Sequence, residues 1–198
     1  MAAQKTIVLL VTALSLLPLT GCKLGKVVQG RVIAYDKEGG RITLVPEQWD
    51  RRSASATYIL PAITITTPAD PAEMGPPPRP GKLLSIDLKR RQLLYFDSSR
   101  SALKTIAWDL LNEQAGVFDD DPRVTKAVLP LTNHEKKSVT LYSPRDRKLI
   151  EIRVADEYLA LPEDTWIAGD EIRYYCKDSQ QALRLMNVSL TDVNKGGH

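Results

Sequence analysis

The stretch Gly30-Arg-Val-Ile-Ala-Tyr35, Asp36-Lys-Glu-Gly-Gly40, Arg41-Ile-Thr-Leu-Val45 decides the fold class. Two runs rich in β-branched residues flank a charged turn that ends in paired glycines. Glycine reaches positive φ at no steric cost, so the stretch reads as a β-hairpin. Pro46 has no N–H to give a sheet and is expected to end the second strand.

The same plan recurs along the chain. Lys82–Leu88 and Leu93–Phe96 flank Lys89-Arg-Arg-Gln92, and Ser138–Tyr142 and Lys148–Val154 flank Ser143-Pro-Arg-Asp-Arg147. Glu171–Cys176 and Gln181–Val188 flank Lys177-Asp-Ser-Gln180. Four such hairpins predict a mainly β protein, built as small β-barrel or sandwich halves from successive hairpins.

Two segments depart from the plan. Residues 67–81 hold six of the thirteen prolines and predict a stiff, polyproline-like loop. In Ser101–Glu113, residues Leu103, Ile106, Ala107, Leu110 and Leu111 fall on one helical face, which predicts a short helix near 100–114. Ile106, Trp108 and Leu110 also alternate as in a strand. The polar run Phe118-Asp-Asp-Asp-Pro-Arg123 then suggests a boundary between an N-terminal β-rich region, 30–120, and a C-terminal small β-barrel-like region, 124–193.

The N-terminus is an address. Met1-Ala-Ala-Gln-Lys5 is a positively charged start, and the 15 residues Thr6–Thr20 form an apolar run. That run is shorter than the roughly 20 residues a spanning helix needs and matches the core of an export signal. It ends in Leu19-Thr20-Gly21-Cys22, which resembles the lipobox of bacterial lipoproteins. The resemblance implies removal of 1–21, acylation of Cys22, and a lipidated tether over 22–29. Lys23, where inner-membrane lipoproteins of Gram-negative cells carry aspartate, implies sorting to the outer membrane facing the periplasm; in a Gram-positive source the site would be the cell membrane. Removing 1–21 from the 198 residues leaves 177 and takes away one lysine, Lys5. Such a chain is long enough for a stable core without staples.

With Cys22 acylated, Cys176 is the second of the two cysteines. In a strand Ile172, Tyr174 and Cys176 share one face, and Arg173, Tyr175 and Lys177 the other, so Cys176 is expected to face the core.

The remaining inventory argues against most chemistry. A net charge of +3 from 27 basic and 24 acidic residues gives no nucleic-acid footprint. One internal histidine, His134, is too little for a zinc or copper site, and no metal or cofactor is expected. The acidic runs Asp119–Asp121, Asp156-Glu157, Glu163-Asp164 and Asp170-Glu171 lack the alternation of a calcium loop. Basic clusters at Arg51-Arg52, Lys89–Arg91, Lys136-Lys137 and Arg145–Lys148 mark turns, where charge discourages edge-to-edge association.

Leu161-Pro-Glu-Asp-Thr-Trp166, Gly169-Asp-Glu-Ile-Arg-Tyr-Tyr175, Ala182-Leu-Arg-Leu-Met-Asn-Val188 and Met74-Gly-Pro76 resemble a family of bacterial lipoproteins classed as a domain of unknown function. The resemblance implies an exported, lipid-anchored domain. The expected role is therefore a membrane-anchored, non-catalytic binding or scaffolding module with an envelope protein partner. The alternative is a periplasmic small-ligand carrier, with Tyr158, Trp166, Tyr174 and Tyr175 lining a barrel mouth.

Overall fold

In the computed structural model, residues 24–50, 55–118, 120–126, 129–144, 146–178 and 180–191 are described. Among these residues, thirteen strands form three antiparallel sheets that pack as a sandwich-like, mainly β structure. They do not close into a barrel.

The first hairpin is the centre of the largest sheet. β1 (Lys26–Asp36) and β2 (Arg41–Asp50) pair with Gly30 opposite Pro46 and Asp36 opposite Arg41. β12 (Glu171–Cys176) pairs on the other side of β1, and β13 (Arg184–Asn187) pairs on β12. The sheet therefore draws on both ends of the sequence. The polar run near 118–123 separates no two sheets, because the ladder between β1 and β12 joins residues roughly 145 apart.

β2 does not stop at Pro46. Its first half pairs with β4 (Ile63–Thr66), and its second half pairs with β3 (Ser55–Tyr58). Pro46 sits where the partner changes, and its carbonyl accepts the Ile59 N–H at 2.8 Å. A residue without an N–H costs the ladder nothing at that junction.

β5 (Leu83–Asp87), β6 (Gln92–Asp97) and β7 (Ala102–Ala107) form the three-stranded sheet. β8 (Asp109–Ala115), β11 (Lys148–Arg153), β10 (Ser138–Ser143) and β9 (Leu131–Asn133) form the four-stranded one. The expected helix near 100–114 is thus two strands, β7 and β8. Trp108 links them, its backbone N–H bonded to the Arg91 carbonyl at 3.1 Å. The alternation of Ile106 and Trp108, both buried, prevails because β6 and β11 offer ladders to both segments. Leu110 and Leu111, placed on the helical face by spacing, are exposed on the edge strand β8. Helical structure is limited among the described residues to single turns, such as α1 (Pro122–Thr125) and α2 (Asp156–Leu159), and to short 3₁₀ turns. Asp121 serves as the N-cap of α1, and its bonds to Arg123 hold its carboxyl at about 2.

Five hairpins share one turn design. The first strand ends on Asp36, Asp87, Asp97, Asn133 or Ser143, and the residue four positions later has positive φ. Those residues are Gly40, Arg91, Ser101, Lys137 and Arg147, with φ between 48° and 58°. In each turn the side chain at the strand end accepts a backbone N–H, from 2.8 Å at Gly39 to 3.4 Å at Asp146. Asp, Asn and Ser suit this position because their short side chains reach the backbone two or three residues on. Only one of the five uses glycine at the left-handed position. Lys137→Gly is accordingly expected to leave the fold intact and raise stability by up to about 1 kcal/mol, read by thermal unfolding. A clear loss would refute the account of that turn.

Three cores follow from the alternation. Leu83, Leu93, Tyr95 and Ile106 from the three-stranded sheet meet Val139, Leu141, Ile150 and Ile152 from the four-stranded one, with Trp108 and Trp166 among them. Val32, Ile42, Leu44, Ile65, Ile172, Tyr174, Cys176 and Leu185 line one face of the six-stranded sheet. Val45 and Tyr58, on its other face, meet Leu84 and Phe96. Each fully buried Ile or Leu contributes about 1.5–3 kcal/mol relative to exposure.

Candidate functional site

Cys22, the expected lipid attachment, lies outside the described residues, as do Arg51, Arg52 and Arg145. The four expected lining residues do not share a mouth. Trp166 is buried in the core between the smaller sheets, and Tyr158 packs against the same cluster. Tyr174 is buried under the six-stranded sheet. Tyr175 takes the opposite face of β12, its ring against Gly25. The period-2 alternation of the strand separates Tyr174 from Tyr175.

Tyr174 carries a local anomaly. Its hydroxyl is buried with no hydrogen-bond partner, and burial pushes its pKa up to about 12. Such an orphan costs about 1–3 kcal/mol, so Tyr174→Phe is expected to be neutral or stabilising. The folded phenol also titrates above its unfolded value, near 10. Its contribution is therefore intact below about pH 10 and lost as pH rises towards 12. The Phe variant should flatten that alkaline fall in a stability-against-pH series. Beside it Cys176 is fully buried, as its strand face requires, and burial raises its thiol pKa.

The densest polar cluster crosses the six-stranded sheet on the Tyr175 face. Register places Gln29 opposite Arg173 and Arg31 opposite Glu171. The Gln29 amide donates to Glu47 at 2.7 Å and to Glu171 at 2.5 Å, while its carbonyl oxygen accepts both Arg173 donors at 2.7 and 2.9 Å. The Arg31 side chain is only 13% exposed and donates to the Gly169 carbonyl at 3.0 Å, with Glu171 at 3.9 Å. Burial alone would lower its pKa; Tyr58, Glu171 and Glu47 more than offset this and raise it. Both ends of the Gln29 amide are engaged, and the arrangement works as a clamp between strands distant in sequence. Period-2 alternation along β1 puts Gln29 and Arg31 on one face, and the partner strand is set by pairing with a segment distant in sequence.

A second polar assembly fixes the proline-rich segment. Asp170 is buried; its carboxylate accepts the Arg79 N–H and the Asn187 side-chain N–H, both at 2.9 Å. Gly75 donates to the Leu185 carbonyl at 2.8 Å, Met74 packs on the core, and Arg184 pairs with Glu73. The segment is a strap across the β13 edge, with Pro68 and Pro78 buried.

Of the acidic and basic runs, Glu163-Asp164 supplies a 3₁₀ turn and the Lys82 ion pair at 2.8 Å. Lys137 pairs with Asp156 at 2.8 Å, Lys148 with Glu113, and the Arg147 guanidinium lies over the Phe118 ring. Among the described residues, no group of three or more His, Cys, Asp or Glu side chains is arranged to hold a metal ion.

These features define a mainly β, antiparallel sandwich-like domain held by a polar strand clamp and a proline-rich strap. The chain belongs to the family described as domain of unknown function DUF4881, whose model matches residues 23–196. No curated protein and no solved structure matches it.

Proposed function

We propose that the protein is a lipid-anchored envelope lipoprotein acting as a non-catalytic binding or scaffolding module. The observation that carries this reading is the seam at residue 22. The apolar export-like run and Leu19-Thr20-Gly21-Cys22 come first, the family match begins at residue 23, and β1 starts at Lys26. An anchor at Cys22 would then join the folded domain with almost no linker. Two or more acyl chains give stable membrane attachment, each buried methylene contributing about 0.8 kcal/mol. Lys23 supports delivery to the outer membrane in a Gram-negative cell. The polar clusters support a structural use, because their hydrogen bonds tie strand to strand and strap to sheet.

Replacing Cys22 with alanine is expected to abolish acyl labelling and leave the precursor uncut at that site. Labelling that persists would sink the anchor. For the binding role, crosslinking of the wild-type protein in its own envelope should recover a reproducible partner. Repeated recovery of the protein alone would argue against scaffolding.

A further inference from the structure

Antiparallel pairing gathers four exposed apolar side chains at one end of the six-stranded sheet. β1 and β13 start at that end, and β2 and β12 finish there. Leu24 is 94% exposed, Val27 63%, Trp49 42% and Leu183 42%. They come from three separate stretches of sequence, with Leu24 and Val27 together at the start of β1. Val27 pairs with Tyr175, and Tyr175 with Arg184, the residue after Leu183. Val45, Glu47 and Trp49 alternate onto the same face of β2 as Val27 on β1. Among the described residues, Lys26 and Lys177 stand at this end together with Asp50 and Asp178.

The chain itself says what covers this end. Leu24 is two residues after Cys22, and two residues span at most about 7 Å. The headgroup layer on each side of a bilayer is of similar depth, roughly 5–8 Å. An acylated Cys22 therefore cannot hold the domain clear of the lipid, and the end carrying Leu24 must face it.

We propose that this end of the sheet rests in the headgroup layer of the membrane that holds the anchor, with Leu24, Val27, Trp49 and Leu183 as the contact. The proposal builds on the lipid-anchor reading. Tryptophan suits such a position because its apolar body and polar N–H match the interface. The contact fixes which end of the domain faces the bilayer.

The test uses the mature acylated protein in vesicles of phosphatidylethanolamine and phosphatidylglycerol with brominated acyl chains. Flotation reports the anchor, and tryptophan quenching reports the contact. Trp108 and Trp166 are buried in the core, so Trp49 is the tryptophan placed to be quenched. One of the three tryptophans lies at the contact, so emission should fall measurably relative to unbrominated vesicles. Trp49→Phe should abolish the fall, and the triple variant Leu24→Ser, Val27→Ser, Leu183→Ser should weaken it, while both still float. Floating wild-type protein with unquenched emission would overturn the contact and spare the anchor; quenching that survives in Trp49→Phe would overturn it too. Protein that does not float would overturn the anchor and the contact with it.

Discussion

Alanine at Gly169 is expected to cripple folding. The segment 168–170 runs between β1 and the end of the strap, with no room for a side chain at Gly169. A Cβ there would overlap the Val32 carbonyl oxygen and lie 2.8 Å from the Gly81 oxygen and 3.1 Å from its nitrogen. All three are backbone atoms, so no flexible side chain can swing away. Moving the segment would disturb the bonds it supports. Val32 donates to the Asp170 carbonyl at 3.0 Å, Gly81 donates to the Val32 carbonyl at 3.0 Å, and Arg31 reaches the Gly169 carbonyl. Overpacking costs about 1–3 kcal/mol, and each buried backbone bond lost adds about 1. Against a total of about 5–15 kcal/mol this is severe. Thermal unfolding followed by circular dichroism should show a fall of about 10 °C or more, or the variant should fail to accumulate. A midpoint close to wild type would show that the segment yields more readily than its contacts imply.

The neighbouring residue gives the second large effect. Asp170→Ala removes the acceptor of the Arg79 N–H and of the Asn187 side chain, which is fully buried. The Asn187 amide would retain one long bond, 3.4 Å to the Pro76 carbonyl, and its oxygen already lacks a partner. Leaving these two donors without that acceptor costs about 2–4 kcal/mol together. The Arg79 guanidinium, 3.3 Å from the carboxylate and mostly exposed, contributes little beside them. Asp170→Asn keeps one acceptor oxygen and should fall between the two. The damage should also be local. With its central bond gone, the strap over 67–81 should open more often than the sheet unfolds, and limited proteolysis should cut there first. Equal stability and an unchanged cleavage pattern in Asp170→Ala would remove Asp170 from its place as the pin.

The hairpins were legible because their information is local. Asp36 to Gly40 contains its own acceptor, its own left-handed residue and flanking alternation, and no distant partner is needed to recognise it. The same held for the hairpins around Lys89 and Pro144; the Lys177 turn has a local acceptor in Asp178, which takes the Gln180 and Gln181 N–H groups, but no left-handed residue among the described ones. The segment 101–113 misled because its apolar spacing satisfies both a 3.6 and a 2.0 period over a short run. The ladders on β6 and β11 resolved the choice, and those strands are not its sequence neighbours alone. Pro46 misled in a smaller way, since a missing N–H ends one pairing without ending the strand. Tyr158, Trp166, Tyr174 and Tyr175 were grouped by proximity along the chain, whereas the sheets send them to two cores and an outer face.

From residues alone, then, came the β class, the hairpin turns and the inward face of Cys176, each set by patterns a few residues long. Tertiary structure alone decided that β12 lies beside β1, that the proline-rich run is a strap pinned by Asp170, and that Leu24, Val27, Trp49 and Leu183 meet at one end. Those relations depend on pairing between segments up to about 150 residues apart, and a period-2 pattern states which face a residue takes but not which strand lies next to it.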